Sequence, residues 1–208
     1  MKRFIVAALA AALAGTAAQA AEFTPVQGGT AAASFASSGP FEQSFVANAG
    51  LLTNFAFTFA TTNRTATTST VTFSLFTQNG DTALASQTTN LSGLTFRTLG
   101  GFVDVFAGSV ALTAGTTYRA VLSSDSSTLA LGYNNASDAY AQGALTRRSN
   151  SDAACVAGSN RCDANFRYSV QPIAAVPEPA SWALMLTGFA LVGGAARYRR
   201  RATVLRYH

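Results

Sequence analysis

The chain has 208 residues, 49% of them hydrophobic and 11% charged, with a formal net charge of +5. That length suits one ordinary domain plus targeting segments. The basic excess does not imply nucleic acid: Lys2 and Arg3 sit at one end, Arg197, Arg199, Arg200, Arg201 and Arg206 at the other, and from Glu22 to Val176 seven arginines stand against eight carboxylates with no lysine, so no nucleic-acid partner is expected.

In chain order, the first element reads as a signal peptide over residues 1–20. Lys2 and Arg3 form a positive start, an apolar stretch follows from Phe4 to Leu13, and Ala18-Gln19-Ala20 closes it. A signal peptidase accepts only small side chains at the first and last of those three positions, so Ala18 and Ala20 mark cleavage and Ala21 the mature N-terminus.

Residues 21–175 form the exported domain. Phe55, Phe57 and Phe59 alternate with small or polar residues, and Val71, Phe73 and Leu75 repeat the pattern, as strands with one buried face require. Phe102 to Phe106 leads into Val110 and Leu112, and Thr117–Leu122 and Thr128–Tyr133 add two more strands. Asn79-Gly80 is a favoured hairpin dipeptide because both residues tolerate positive φ. Ala114-Gly115 and Gly100-Gly101 punctuate other segment ends. Eight or nine short strands at this spacing predict an all-β fold, an antiparallel β-sandwich of jelly-roll-like type. The run Leu112 to Tyr118 resembles a strand-turn-strand of secreted sandwich modules, carbohydrate-binding ones included.

Cys155 and Cys162 are the only cysteines. The exported context favours a local disulfide between them, and no histidine lies nearby to complete a zinc site. The single histidine is His208, so Ser-His-Asp and Cys-His mechanisms and histidine-ligated zinc hydrolysis have no base or ligand in the domain. Without lysine, Schiff-base chemistry and a phosphate loop are also excluded. The domain reads as no enzyme, with no catalytic residue, cofactor or metal assigned. A carboxylate pair of the glycosidase kind is what chemistry remains, with Asp104 the most interesting carboxylate because it sits in an apolar-rich strand; the alternative for it is an outward-facing strand residue or a partner for Arg97 or Arg119, and Asp81 and Asp125 sit in turns. A Ca²⁺ site from Asp125, Asp138 or Asp152 lacks EF-hand spacing. Tyr133, Asn134, Asn135 and Tyr140 are the candidate ligand contacts, since aromatic rings and amides together suit sugar rings.

Residues 176–208 form the last segment. Pro177-Glu178-Pro179 stiffens the chain, Trp182 suits a membrane interface, and residues 180–196 form an uncharged run of about 17 residues, the lower limit for a transmembrane helix. Arg197, Arg199, Arg200 and Arg201 then provide a positive-inside anchor in the cytoplasm. Pro177-Glu178-Pro179, Trp182-Ala183, Gly188-Phe189 and the arginine run resemble the PEP-CTERM sorting signal in its PEPxxWA form; the extension from Ala202 to His208 departs from it. The resemblance implies an exosortase, a membrane transpeptidase-like enzyme, as partner beside signal peptidase. It also implies transient residence in the inner membrane, then the cell envelope or extracellular matrix, with an association with exopolysaccharide or biofilm. The functional expectation is a structural envelope or matrix protein, with a surface carbohydrate-binding module as the alternative and a carboxylate-based glycoside hydrolase behind it.

Overall fold

Alternation of apolar and polar side chains accounts for most of the strands. In the computed structural model, which describes residues 20–135, 138–147, 162–173 and 179–202, Phe41, Gln43 and Phe45 of one strand are buried while Glu42, Ser44 and Val46 between them are half-buried. Val71, Phe73 and Leu75 repeat this with Thr72 and Ser74 between. The chain divides into two units, Met1–Ile173 and Ala174–His208.

The first unit contains β1 (Ala21–Val26), β2 (Ala31–Ser34), the single turn α1 (Phe35–Ser38), β3 (Phe41–Val46), β4 (Gly50–Thr61), β5 (Ser69–Thr77) and β6 (Ala85–Leu91). It continues with β7 (Phe102–Leu112), β8 (Thr117–Ser123), β9 (Leu129–Asn134), β10 (Leu145–Arg147), β11 (Asp163–Ala164) and β12 (Phe166–Gln171). One sheet runs β1-β12-β4-β9-β11, with β7 also on β4 and β2 on β9; the other runs β10-β3-β8-β5-β6. Every ladder between these strands is antiparallel.

Aromatic rings join the sheets. Phe45 of β3 lies 5.2 Å from Phe55 of β4 and 5.1 Å from Tyr168 of β12, and Phe73 of β5 lies 5.3 Å from Phe55. Edge-to-face and offset pairs at such distances add about 0.5–1.5 kcal/mol each to the burial of the rings. The central strand β4 is buried continuously from Phe55 to Thr61. Its core face carries Phe55, Phe57 and Phe59; its other face carries the small residues Ala56, Thr58 and Ala60, which leave room for covering loops.

The expected strands are present as β4, β5, β7, β8 and β9. Twelve strands are described, more than the eight or nine expected, because short pieces such as β2 and β11 carry too few residues for a period to register. The Asn79-Gly80 turn differs from expectation. Gly80 N–H donates to Thr77 O at 3.2 Å and Leu84 N–H to Leu75 O at 2.7 Å, so the β5–β6 loop runs from 78 to 84. Neither Asn79 nor Gly80 has positive φ, whereas Gly115 does, at 72°. The signal peptide, Ala18 included, lies outside the described residues except for exposed Ala20.

The second unit is described as one helix, α2 (Pro179–Ala202). Leu186, Phe189, Leu191 and Val192 are exposed, and their spacing distributes them around the helix rather than along one stripe. Among the described residues no helix is long and apolar enough to cross a membrane, which corrects the expectation of a transmembrane helix over 180–196. The physical reason lies in length and composition. A helix of about 17 residues rises only about 26 Å against a hydrocarbon core of about 30 Å. Gly188, Gly193, Gly194 and the alanines also add little apolar area.

Candidate functional site

One concavity among the described residues of the β-unit is a cleft of about 580 Å³ between the start of β1, the end of β3, the β7–β8 turn and the loop after β9. Its walls carry Phe23, Tyr140 and Tyr168, the amides of Asn48 and Gln142, and the Glu22 carboxylate. Tyr168 arrives there by strand alternation, sharing the buried face of β12 with Phe166 and Val170. Its ring stacks on Phe23 at 5.3 Å and 24°, and its hydroxyl accepts from Asn48 Nδ2 at 3.0 Å.

Tyr140 stands in a loop, so other contacts must fix it. Its backbone N–H donates to Asp163 Oδ2 at 2.9 Å, and its hydroxyl accepts from Val46 N–H at 3.0 Å. Its ring meets Phe166 edge-on at 5.5 Å. Burial pushes both phenols above their ordinary value. For Tyr140 the Val46 bond opposes the rise and the Asp163 charge adds to it; for Tyr168 neighbouring Tyr140 adds to it and Asn48 opposes it. Both therefore remain neutral hydroxyls at physiological pH, able to donate and accept hydrogen bonds.

Behind them lies a buried polar pair. Gln43 Nε2 donates to Asp163 Oδ1 at 3.1 Å, and Ala164 N–H donates to Gln43 Oε1 at 2.7 Å. Burial raises the Asp163 carboxyl above its ordinary range, against the bonds from Tyr140 and Gln43 that lower it. This pair ties β3 of one sheet to β11 of the other and holds the Tyr140 loop in place.

The four expected ligand contacts do not gather. Tyr140 lines the cleft. Tyr133 is buried in the core of β9, Asn134 ends that strand opposite Asp163, and Asn135 is exposed beyond it. Tyr133 thus belongs to packing, because its position in β9 follows the inward alternation. Asp104 is exposed on β7, where its carboxylate lies 3.4 Å from Arg167, not from Arg97 or Arg119. Arg119 instead pairs with Glu42 at 3.0 Å. Glu22, on the other side of Arg167, is 3.4 Å from it. Asp81 and Asp125 are exposed, and Asp152 lies outside the described residues. Among the described residues no three His, Cys, Asp or Glu side chains group to hold a metal. Cys162 is buried and is not a free thiol; Cys155 lies outside the described residues.

Sequence reading missed Phe23, Asn48 and Tyr168. The alternating Phe166, Tyr168 and Val170 carried a signal for Tyr168, but Phe23 and Asn48 reach the cleft only through long-range pairing.

The C-terminal unit has a different kind of site. Pro179 opens α2, Trp182 falls in its first turns, and Arg197, Arg199, Arg200 and Arg201 fall in its last. Pro177 and Glu178 lie outside the described residues. Proline, apolar helix and arginine cluster follow one another in a single short segment.

Residues 175–201 match the PEP-CTERM protein-sorting motif. A PEP-CTERM motif marks an exported surface protein that is processed by an exosortase-type membrane enzyme and associated with the envelope. The match covers the tail alone and leaves the β-unit unassigned. No curated protein matches the chain.

Proposed function

We propose that this PEP-CTERM protein is a structural component of the cell envelope or extracellular matrix, whose β-unit is the cargo and whose tail is its address. The observation that carries the reading is the order of parts: a two-sheet domain ending at Gln171, then the motif at 175–201. In this reading the domain is a jelly-roll-like sandwich placed near exopolysaccharide, and a Cys155–Cys162 disulfide closes its last loop. The tail resides briefly in the inner membrane. Expression with and without an active exosortase tests this. The account expects a matrix-released form only when the enzyme is present; equal release in its absence overturns it.

The tyrosine cleft favours a second reading, a carbohydrate-binding module. Phe23 and Tyr140 offer half-buried ring surface beside the hydroxyls and amides that sugar hydroxyls require. Retention on a neutral polysaccharide column that is lost in a Phe23→Ala variant of unchanged circular dichroism supports it. Equal retention of both forms refutes it.

A further inference from the structure

The exposed arginines Arg64 and Arg97 differ from Arg119 and Arg167 of the same unit. Arg119 and Arg167 are held by carboxylates, whereas no carboxylate among the described residues pairs with Arg64 or Arg97. Both guanidinium groups lie over one ring, that of Phe96, at 4.9 and 5.2 Å from its centroid. Their charges are therefore within about 10 Å of each other, on solvent-exposed side chains that share one aromatic platform. Stacking on an aromatic face leaves the N–H edges of a guanidinium available to carboxylate oxygens.

The backbone supplies a second observation. Arg97 is the one non-glycine residue with positive φ among the described residues, at 53°. A side chain in the left-handed region costs about 1–2 kcal/mol, and such strain gathers where function requires it. Here the loop before β7 is pinned to β4: Arg97 N–H donates to Thr61 O at 2.9 Å, Thr61 N–H to Thr95 O at 3.1 Å, and Gly100 N–H to Phe59 O at 3.2 Å. Glycine or asparagine would suit that conformation better, yet the position carries a cation.

Arg97 also borders a groove of about 510 Å³ with Gln27, Thr30 and Thr98 as polar walls and Leu99 and Phe102 as apolar ones. Asn165 fixes its far side, accepting from Gly29 N–H at 3.1 Å and donating to Gly29 O at 2.8 Å. Gly29 must be glycine, because a Cβ there would overlap Asn165 and the backbone of Tyr133 and Asn134. Arg97 at the rim of a rigid groove of amides, hydroxyls and apolar carbons, with Arg64 over the same Phe96 ring, matches a hydroxylated ring that bears a carboxylate. Nucleic acid would need a broader basic surface than two arginines on a nearly neutral domain.

We propose that Arg64, Phe96 and Arg97, with the adjoining groove, bind a carboxylate-bearing saccharide chain. This site is separate from the tyrosine cleft and independent of the sorting route. Full-length protein in mild detergent, titrated with polygalacturonate, tests it, with dextran and polyglutamate as comparison polymers. Binding is expected to polygalacturonate above both, to weaken about tenfold between low salt and about 0.3 M salt, and to fall at least about tenfold in Arg64→Gln. Arg97→Gly is expected to lose as much while its Tm stays the same or rises, because glycine relieves the positive φ. The inference is overturned if both variants bind as the parent does, if dextran binds equally, or if polyglutamate binds as tightly, which would reduce the site to charge alone.

Discussion

Replacing Gln43 by leucine removes the polar link between the sheets while nearly keeping the side-chain volume. Gln43 Nε2 bonds Asp163 Oδ1 at 3.1 Å and Ser44 O at 3.0 Å, and its Oε1 receives Ala164 N–H at 2.7 Å. Gln43 is 1% exposed and Asp163 0%, so water cannot replace the lost partners. Orphaning the Ala164 N–H costs about 1–3 kcal/mol, and taking a donor from a buried carboxylate about 1.5–3. A total loss near 3–5 kcal/mol is expected in urea unfolding. Circular dichroism is the suitable probe, since the single tryptophan, Trp182, lies in the tail unit.

The loss also has a pH signature. Burial holds the Asp163 carboxyl above 3.8 in the folded state, and the Gln43 bond restrains that rise. A carboxyl raised on folding contributes stability that is fully present below the unfolded value and is lost as pH rises through the folded one. Without Gln43 the folded value rises further. The variant should therefore fall least behind the parent at about pH 3.5 and most at neutral pH. A loss below about 1 kcal/mol, or an equal loss at both pH values, refutes the role assigned to the pair.

Other predictions concern neighbouring features. Asn165→Ala removes the two bonds to Gly29 and the one from Asn165 Nδ2 to Thr58 Oγ1 at 3.1 Å; a loss of about 2–4 kcal/mol in urea unfolding is expected, and a change under about 0.5 contradicts the staple. In the proposed disulfide, reduction should lower unfolding stability by about 2.5 kcal/mol, as closure of an eight-residue loop implies, and Cys155→Ala with Cys162→Ala should show no further loss on adding reductant. Alkaline titration followed by ultraviolet absorbance should show phenols ionising above the ordinary tyrosine range, because burial raises Tyr140 and Tyr168. Tyr140→Phe with Tyr168→Phe should remove that late phase, and its persistence contradicts the assignment.

The strands with strong alternation were legible before the fold was known. Phe55, Phe57 and Phe59, and Val71, Phe73 and Leu75, each bury one side of a strand, and a period of two is visible in any sequence that does so. The tail was legible for another reason: proline, apolar run and arginines are contiguous, so no folding is needed to bring them together. The clefts were not legible. Tyr168 meets Phe23 and Asn48 across 145 and 120 positions of chain, and Asp163 meets Gln43 across 120. Nothing in the local pattern encodes such pairings. Tyr133 misled for the same reason, since alternation gives a side chain's face but not the neighbours waiting there, and Asp104, read as outward-facing or arginine-paired, is both, with Arg167 in place of Arg97 or Arg119.

The central claim, an exported β-unit delivered by its sorting tail, is tested most directly by the intact mass of protein isolated from its native envelope, together with its cellular fraction. The account predicts a product that begins at Ala21, ends near Pro177 to Pro179 and leaves the inner membrane. A product that keeps Arg199 to Arg201 and stays in the inner membrane would contradict it.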